Sequence, residues 1–217
     1  MSKHVEQLNM IKQQLRTGSV LNESILALYD AIPRDQFVPQ HLQQFAYSDM
    51  QIELPHHQRM MTPLEEAKLL QSLNLSGTET VLEVGTGTGY LTALLSRLCQ
   101  KVISIDYYED FSVAAKDKLM QHGCNNVELY TGNACNGWFD KAPYDAIVFT
   151  GGMEVLTDAH KLQVVPGGQL FALVGKEPIM QGQLHRINHQ QEWSVEVIFE
   201  TCLPALMNPA KPKDFVF

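Results

Sequence analysis

The segment Val81-Leu82-Glu83-Val84-Gly85-Thr86-Gly87-Thr88-Gly89-Tyr90-Leu91 runs from a β-branched stretch through three alternating glycines into a helical pattern. Glycine adopts backbone conformations closed to other residues, so such a loop can turn tightly and let a ligand approach the backbone. In open α/β sheets a turn of this kind lies outside the carboxyl ends of the strands, where ligands bind. Asp106 ends the next predicted strand, 21 residues after Gly85. A carboxylate there can accept hydrogen bonds from both hydroxyls of a ribose. With Tyr107 directly after it, the constellation reads as a nucleoside site.

Two residues decide which nucleoside. The dinucleotide fingerprint G-x-G-x-x-G would put its third glycine at position 90, where this chain has Tyr90, so the pyrophosphate cradle is incomplete. Glu83 precedes the loop, and a carboxylate near that turn repels a pyrophosphate but suits the ammonium or sulfonium of S-adenosylmethionine. The expected contacts are Glu83, Gly85, Thr86, Gly87, Thr88, Gly89, Tyr90, Asp106 and Tyr107. A nicotinamide oxidoreductase is disfavoured by Tyr90. The plain alternative is a tight strand-to-helix turn with Asp106 as a solvated strand end.

These residues need a sheet to hold them. From Thr78 onward, β-branched runs alternate with helical patterns: strands at 80–84, 101–106, 126–130, 145–149 and 169–174, with helix-like segments at about 89–99, 109–122 and 153–163. This spacing predicts right-handed βαβ units, a mainly parallel sheet covered on both faces, and a doubly wound α/β fold. Residues 181–201 alternate like antiparallel strands. Before the sheet, residues 4–75 place apolar side chains at helical spacing, with Asn22 as a candidate N-cap and Pro33 and Pro39 bracketing a loop. The expected organisation is one domain over 1–217: a helical and acceptor-loop extension over 1–75, then the cofactor sheet and C-terminal strands over 76–217.

Composition narrows the class. The 217 residues carry 16 Lys and Arg against 24 Asp and Glu, a formal net charge of −8, so sequence-independent attraction to nucleic acid or anionic membranes is not expected. Cys99, Cys124, Cys135 and Cys202 form no C-x-x-C pair and read as reduced thiols. The polar amino terminus and the absence of a long apolar run predict a cytoplasmic protein. His56-His57 and the pair His185 and His189 lack metal-ligand spacing, and no metal site is expected. The carboxyl end, Phe215-Val216-Phe217, would pack over the core or against a partner.

Over nearly its whole length the chain resembles the protein-L-isoaspartate O-methyltransferase family. The matching residues are Gln14-Leu15 and Gly18, Ile32-Pro33-Arg34-Asp35-Gln36-Phe37-Val38-Pro39, Ala46-Tyr47-Ser48-Asp49, the glycine loop, Gly132-Asn133-Ala134 with Gly137-Trp138, Ala142-Pro143-Tyr144-Asp145-Ala146-Ile147, and Pro166-Gly167-Gly168-Gln169-Leu170. The resemblance implies a seven-stranded Rossmann-like sheet that binds S-adenosylmethionine. It also implies methyl esterification of the β-linked aspartyl carboxylate in damaged proteins, the step that starts repair. The substrate is then a protein or peptide bearing isoaspartyl residues, and the enzyme a monomer. Asn133 stands where the family has an acid that accepts from the adenine amino group, and the N–H of Ala134 can serve a ring nitrogen. Thr150, at a strand end, would face cofactor or substrate.

One segment departs from the family. Its acceptor loop usually reads G-Q-T-I-S-Q-P, whereas this chain has His57-Gln58-Arg59-Met60-Met61-Thr62-Pro63, with Arg59 and Met61 replacing the two hydroxyl residues. Methyl transfer to a carboxylate requires no general base, so Arg59, Met61 and Thr62 are candidates for positioning roles only, with Arg59 or Thr62 gripping the acceptor. Two alternatives stay open: a related methyltransferase with another acceptor, and a cofactor-binding protein with little catalysis. Nucleic-acid amino methylation fits poorly, because Ala142-Pro143-Tyr144 stands where those enzymes carry an acid or amide followed by two prolines.

Overall fold

The computed structural model describes residues 2–209; Phe215-Val216-Phe217 lie outside the described residues. The amphipathic start of the chain forms α1 (Lys3–Met10), which runs into a π-turn at Ile11–Leu15, and then α2 (Glu23–Ala31). Asn22 caps α2: its side-chain oxygen accepts from the N–H groups of Ser24 and Ile25, an interaction worth about 1 kcal/mol. Pro33 and Pro39 each precede a 3₁₀ turn, Arg34–Gln36 and Gln40–Phe45. A short hairpin follows, β1 (Ile52–Glu53) antiparallel to β2 (Arg59–Met60), and leads into α3 (Pro63–Leu73).

The main sheet is built from β3 (Thr80–Val84), β4 (Lys101–Asp106), β5 (Val127–Thr131), β6 (Tyr144–Met153), β7 (Val164–Lys176), β8 (Ile179–Ile187) and β9 (Trp193–Thr201). Its order is β5-β4-β3-β6-β7-β8-β9, parallel from β5 to β7 and antiparallel thereafter. Helices α4 (Tyr90–Ser96) and α5 (Glu109–Gln121) make the crossovers from β3 to β4 and from β4 to β5. The last two strands follow sequence order because their connections are too short for anything but a hairpin. Val84 is level with Ile105 on one side and Phe149 on the other. That register brings Gly85, Asp106 and Thr150 to one edge of the sheet.

One expectation is corrected. The segment 153–163 is not one helix: β6 extends to Met153, and α6 covers only Asp158–Lys161. Both faces of the sheet are covered as expected, by different elements. One buried cluster packs α1 to α5 against residues such as Val81, Val102 and Phe171. The other, around Leu82, Ile103, Ile147 and Ala172, includes no residue of α1 to α5 and is closed by Ala134, Trp138, Leu156 and Leu206. The crossover from β5 to β6 carries Gly132, Gly137 and Pro143, which do not sustain a long helix, and the one from β6 to β7 holds only the single turn α6. Among the described residues no helix is long and apolar enough to cross a membrane.

Candidate active site

The three loop glycines serve two purposes. All have positive φ: +101° at Gly85, +52° at Gly87 and +82° at Gly89. A Cβ on Gly85 would collide with Thr150 Oγ1, which donates to the carbonyls of Val84 and Gly85 at 3.0 and 2.8 Å. A Cβ on Gly89 would sit 2.9 Å from that of Ala115 on α5. These two glycines serve packing. Gly87 differs, since among the described residues the only atom within 4 Å of its missing Cβ is Leu54 Cδ1 at 3.7 Å, and it lines an open cleft. Thr86 and Thr88 are buried with hydroxyls tied to Ser104 Oγ at 2.6 Å and Met60 Sδ at 3.7 Å.

Asp106 sits at the floor of the same cleft, 6% exposed. One carboxylate oxygen accepts from Gly87 N–H at 2.8 Å and the other from Tyr108 N–H at 2.9 Å. Burial raises its pKa, and the two N–H groups oppose that rise. Each oxygen keeps lone-pair capacity for a further donor. Tyr107 is exposed at the cleft edge. Tyr108 stacks flat on His56, centroids 3.9 Å apart and planes 3° apart, and His56 bonds Asp110 at 2.9 Å. This stack fastens the acceptor loop to the start of α5, and the adjacent Tyr-Tyr pair after Asp106 was its only trace in the sequence.

Glu83 and Thr62 do not line the cleft. In a strand successive side chains face opposite ways, and Glu83 points away from Leu82 and Val84, beneath α4. There it is fully buried, and one oxygen accepts from Thr92 Oγ1 at 2.5 Å and Ser104 Oγ at 2.6 Å while the other has no partner. Burial pushes this carboxyl up to about 7. Its proximity to the loop in sequence therefore does not make it the counter-ion of a bound cation. Thr62 is the N-cap of α3, accepting from Glu65 N–H at 3.2 Å while Glu65 accepts from Thr62 N–H at 2.7 Å.

Tyr90 reaches the cleft, but its hydroxyl donates to Ile32 O at 3.4 Å and the Arg34 guanidinium lies 5.2 Å from its ring centre. Arg34, wholly buried, also pairs with Glu66 and donates to Met61 O at 2.6 Å. Burial raises the Glu66 carboxyl while Arg34 pulls it down. Glu66 itself lines the cleft, a position that helical periodicity alone assigned to no function.

On the far side Gly132, Asn133, Ala134 and Cys135 line the cleft. Asn133 Oδ1 accepts from Cys135 N–H at 3.1 Å, which orients the amide and leaves one lone pair on that oxygen. His160, 1% exposed, braces this turn through Nε2 on Cys135 O at 2.7 Å. The segment after β9 then crosses over: Gly152 N–H donates to Pro204 O, Leu206 N–H to Gly152 O, both at 2.9 Å, and Leu203, Leu206 and Met207 complete the wall. Nothing but an apolar composition marked this strap in the sequence.

The acceptor loop forms the opposite wall with Leu54, Gln58, Arg59, Met60 and Met61. Met61 is buried, whereas the Arg59 side chain is 46% exposed with its nearest carboxylate, that of Glu53, at 4.0 Å. The cleft is partly open to solvent. Of the anticipated residues it gathers Arg59, Met61, Gly85, Thr86, Gly87, Thr88, Tyr90, Asp106, Tyr107, Asn133, Ala134 and Thr150; Gly89 stands behind it. Among the described residues no group of three or more His, Cys, Asp or Glu could hold a metal ion.

Comparison with known proteins places the chain in a family. The family model described as Protein-L-isoaspartate(D-aspartate) O-methyltransferase (PCMT) matches residues 5–204. Protein-L-isoaspartate O-methyltransferase 2 of Pelobacter propionicus is 36% identical over 183 residues, 84% of this chain and 81% of that protein. The Aliivibrio fischeri (strain MJ11) protein-L-isoaspartate O-methyltransferase is 36% identical over 191 residues, 88% of this chain and 91% of its own length. Two solved structures share the fold. One described as a protein-L-isoaspartate O-methyltransferase aligns with a TM-score of 0.78 at 21% identity, over 93% of this chain and 66% of that one. A Plasmodium falciparum structure described as a protein-L-isoaspartate O-methyltransferase beta-aspartate methyltransferase (PCMT), in complex with S-adenosyl-L-homocysteine, gives 0.75 at 14% identity, over 95% of this chain and 99% of that one. By sequence, along nearly all of its length, the chain belongs to the protein-L-isoaspartate O-methyltransferase family.

Proposed function

We propose that the chain transfers the methyl group of S-adenosylmethionine to the free carboxylate of isoaspartyl residues in proteins, the chemistry for which its relatives are named. The observation that carries this reading is the meeting of Gly87 and Asp106 at the cleft floor, opposite Arg59. The residues fit the cofactor. Gly87 has no side chain to obstruct close approach, and the buried Asp106 carboxylate has acceptor capacity left for ribose hydroxyls. Asn133 and the N–H of Ala134 would meet the edge of the adenine, with Tyr107 at the open side. S-adenosylmethionine supplies a methyl carbon made electrophilic by its sulfonium.

The chain's own contribution is placement. A carboxylate of ordinary pKa, ~3.9, is ionised at neutral pH, so no residue has to remove a proton. Arg59, loosely engaged by Glu53, holds the acceptor carboxylate through its forked donors. Holding two reactants in line corresponds to effective concentrations of roughly 10⁵–10⁸ M. Met60, Met61 and the strap of Leu203 to Met207 give the cleft apolar walls. We take residues 1–75 as the acceptor side and 76–217 as the cofactor side of one functional unit, acting as a monomer in the cytoplasm.

The test is transfer of labelled methyl to an isoaspartyl peptide and to its normal aspartyl twin. A base-labile ester on the first alone is the expected result. Cofactor binding without transfer to the isoaspartyl peptide would refute the assignment.

A further inference from the structure

A second concavity adjoins the acceptor wall. It is a shallow hollow open to solvent, formed by Leu42 and Phe45 of the 3₁₀ turn, Met50 just before β1, Ile52 and Glu53 of β1, and Arg59 of β2. Its apolar surface is accessible: Phe45 is 38% and Met50 43% exposed, while Ile52, at 2%, lies at the base. The wall is held in place from behind, because Gln51 Nε2 donates to Thr201 Oγ1 and Cys202 O, both at 3.2 Å. Adjacent exposed apolar side chains of this size around a preformed hollow mark a binding surface more often than isolated ones do.

The occupant follows from continuity. Arg59 lines both this groove and the cofactor cleft. A substrate whose carboxylate is held by Arg59 therefore has its flanking chain at the mouth of the groove. Phe45 and Met50 line the same hollow as Arg59, and extended chain advances about 3.3 Å per residue, so a neighbour of the acceptor enters it. We infer that this groove receives a large apolar side chain of the substrate peptide, next to or one residue removed from the methyl acceptor, and so selects among isoaspartyl sites. The inference rests on the function proposed above.

The experiment compares isoaspartyl peptides carrying Phe or Ser at each of the two positions on either side of the acceptor. The enzymes are the full chain and its Phe45→Ser and Met50→Ser variants. At one flanking position the unaltered enzyme prefers Phe by about tenfold in kcat/KM, mostly through KM, and the ratio falls toward one in the variants. Because each enzyme supplies its own ratio, a general loss of stability does not imitate this result. Methylation of all peptides with equal efficiency by the unaltered enzyme overturns the groove and leaves the reaction standing. So does a Phe preference that persists in both variants. Failure to methylate any isoaspartyl peptide overturns the underlying reaction. Sedimentation is run alongside, and a dimer abolished by the same substitutions assigns the groove to a second copy of the chain and overturns its role in selection.

Discussion

The two walls of the cleft are made of different material. The cofactor wall is mostly backbone: positive-φ glycines, N–H groups aimed at Asp106, and threonine hydroxyls already engaged with their neighbours. The acceptor wall is side chain: two methionines and a half-exposed arginine on a hairpin with two-residue strands. Backbone geometry tolerates few substitutions, whereas exposed side chains can change without disturbing the fold.

The strongest test acts on the joint between the walls. Arg34 ties Glu66 to Met61 O beneath Tyr90. Removing one member of a buried ion pair costs about 3–5 kcal/mol, and replacing both members by apolar groups costs far less. Arg34→Met is expected to lower stability in denaturant melts by that amount, with most of it recovered in Arg34→Met/Glu66→Leu. An unchanged single variant would show that the walls are held together elsewhere.

Next comes Glu83, on the cofactor side. Its carboxyl is raised from 4.5 to about 7 in the folded chain, so the folded state holds the proton more tightly. The resulting stability is fully present below pH 4.5 and is lost as pH rises through about 7. Glu83→Gln should remove about 3 kcal/mol of that decline, read from urea midpoints across this window. A variant whose stability falls as steeply as the parent's contradicts the assignment.

Smaller effects separate the walls by function. Asp106→Ala is expected to weaken S-adenosylmethionine binding about 100-fold in calorimetry, the equivalent of roughly 3 kcal/mol in charge-assisted hydrogen bonds. Arg59→Met should leave that affinity in place and lower kcat/KM for the isoaspartyl peptide about tenfold. The distinction between the walls collapses if Arg59→Met weakens cofactor binding more than Asp106→Ala does.

What could be read from the sequence follows the same divide. Strand periodicity and the spacing of Gly85 and Asp106 announced the cofactor edge, because local pattern determines where strands end and the parallel register aligns those ends. Glu83 was misplaced because the alternation of side chains along β3 turns it beneath α4, away from the loop it adjoins. The helix expected at 153–163 was lost to an extended β6. Tyr108, Glu66 and Leu206 could not be identified as cleft residues, since each arrives there through contacts between distant segments. Arg59 was identifiable only against a family pattern, and nothing in its own neighbourhood signals a role.

The strap also bears on where this protein can be cut. The family match stops at residue 204, yet Leu206 bonds Gly152, Tyr108 Oη bonds Met207 Sδ at 3.3 Å, and Cys135 Sγ bonds Asn208 O at 2.9 Å. An excised piece trimmed to the recognisable family boundary would keep every strand of the sheet and still lose one side of its cofactor cleft. For anyone transplanting or shortening this enzyme, the functional module is longer than the module that similarity outlines.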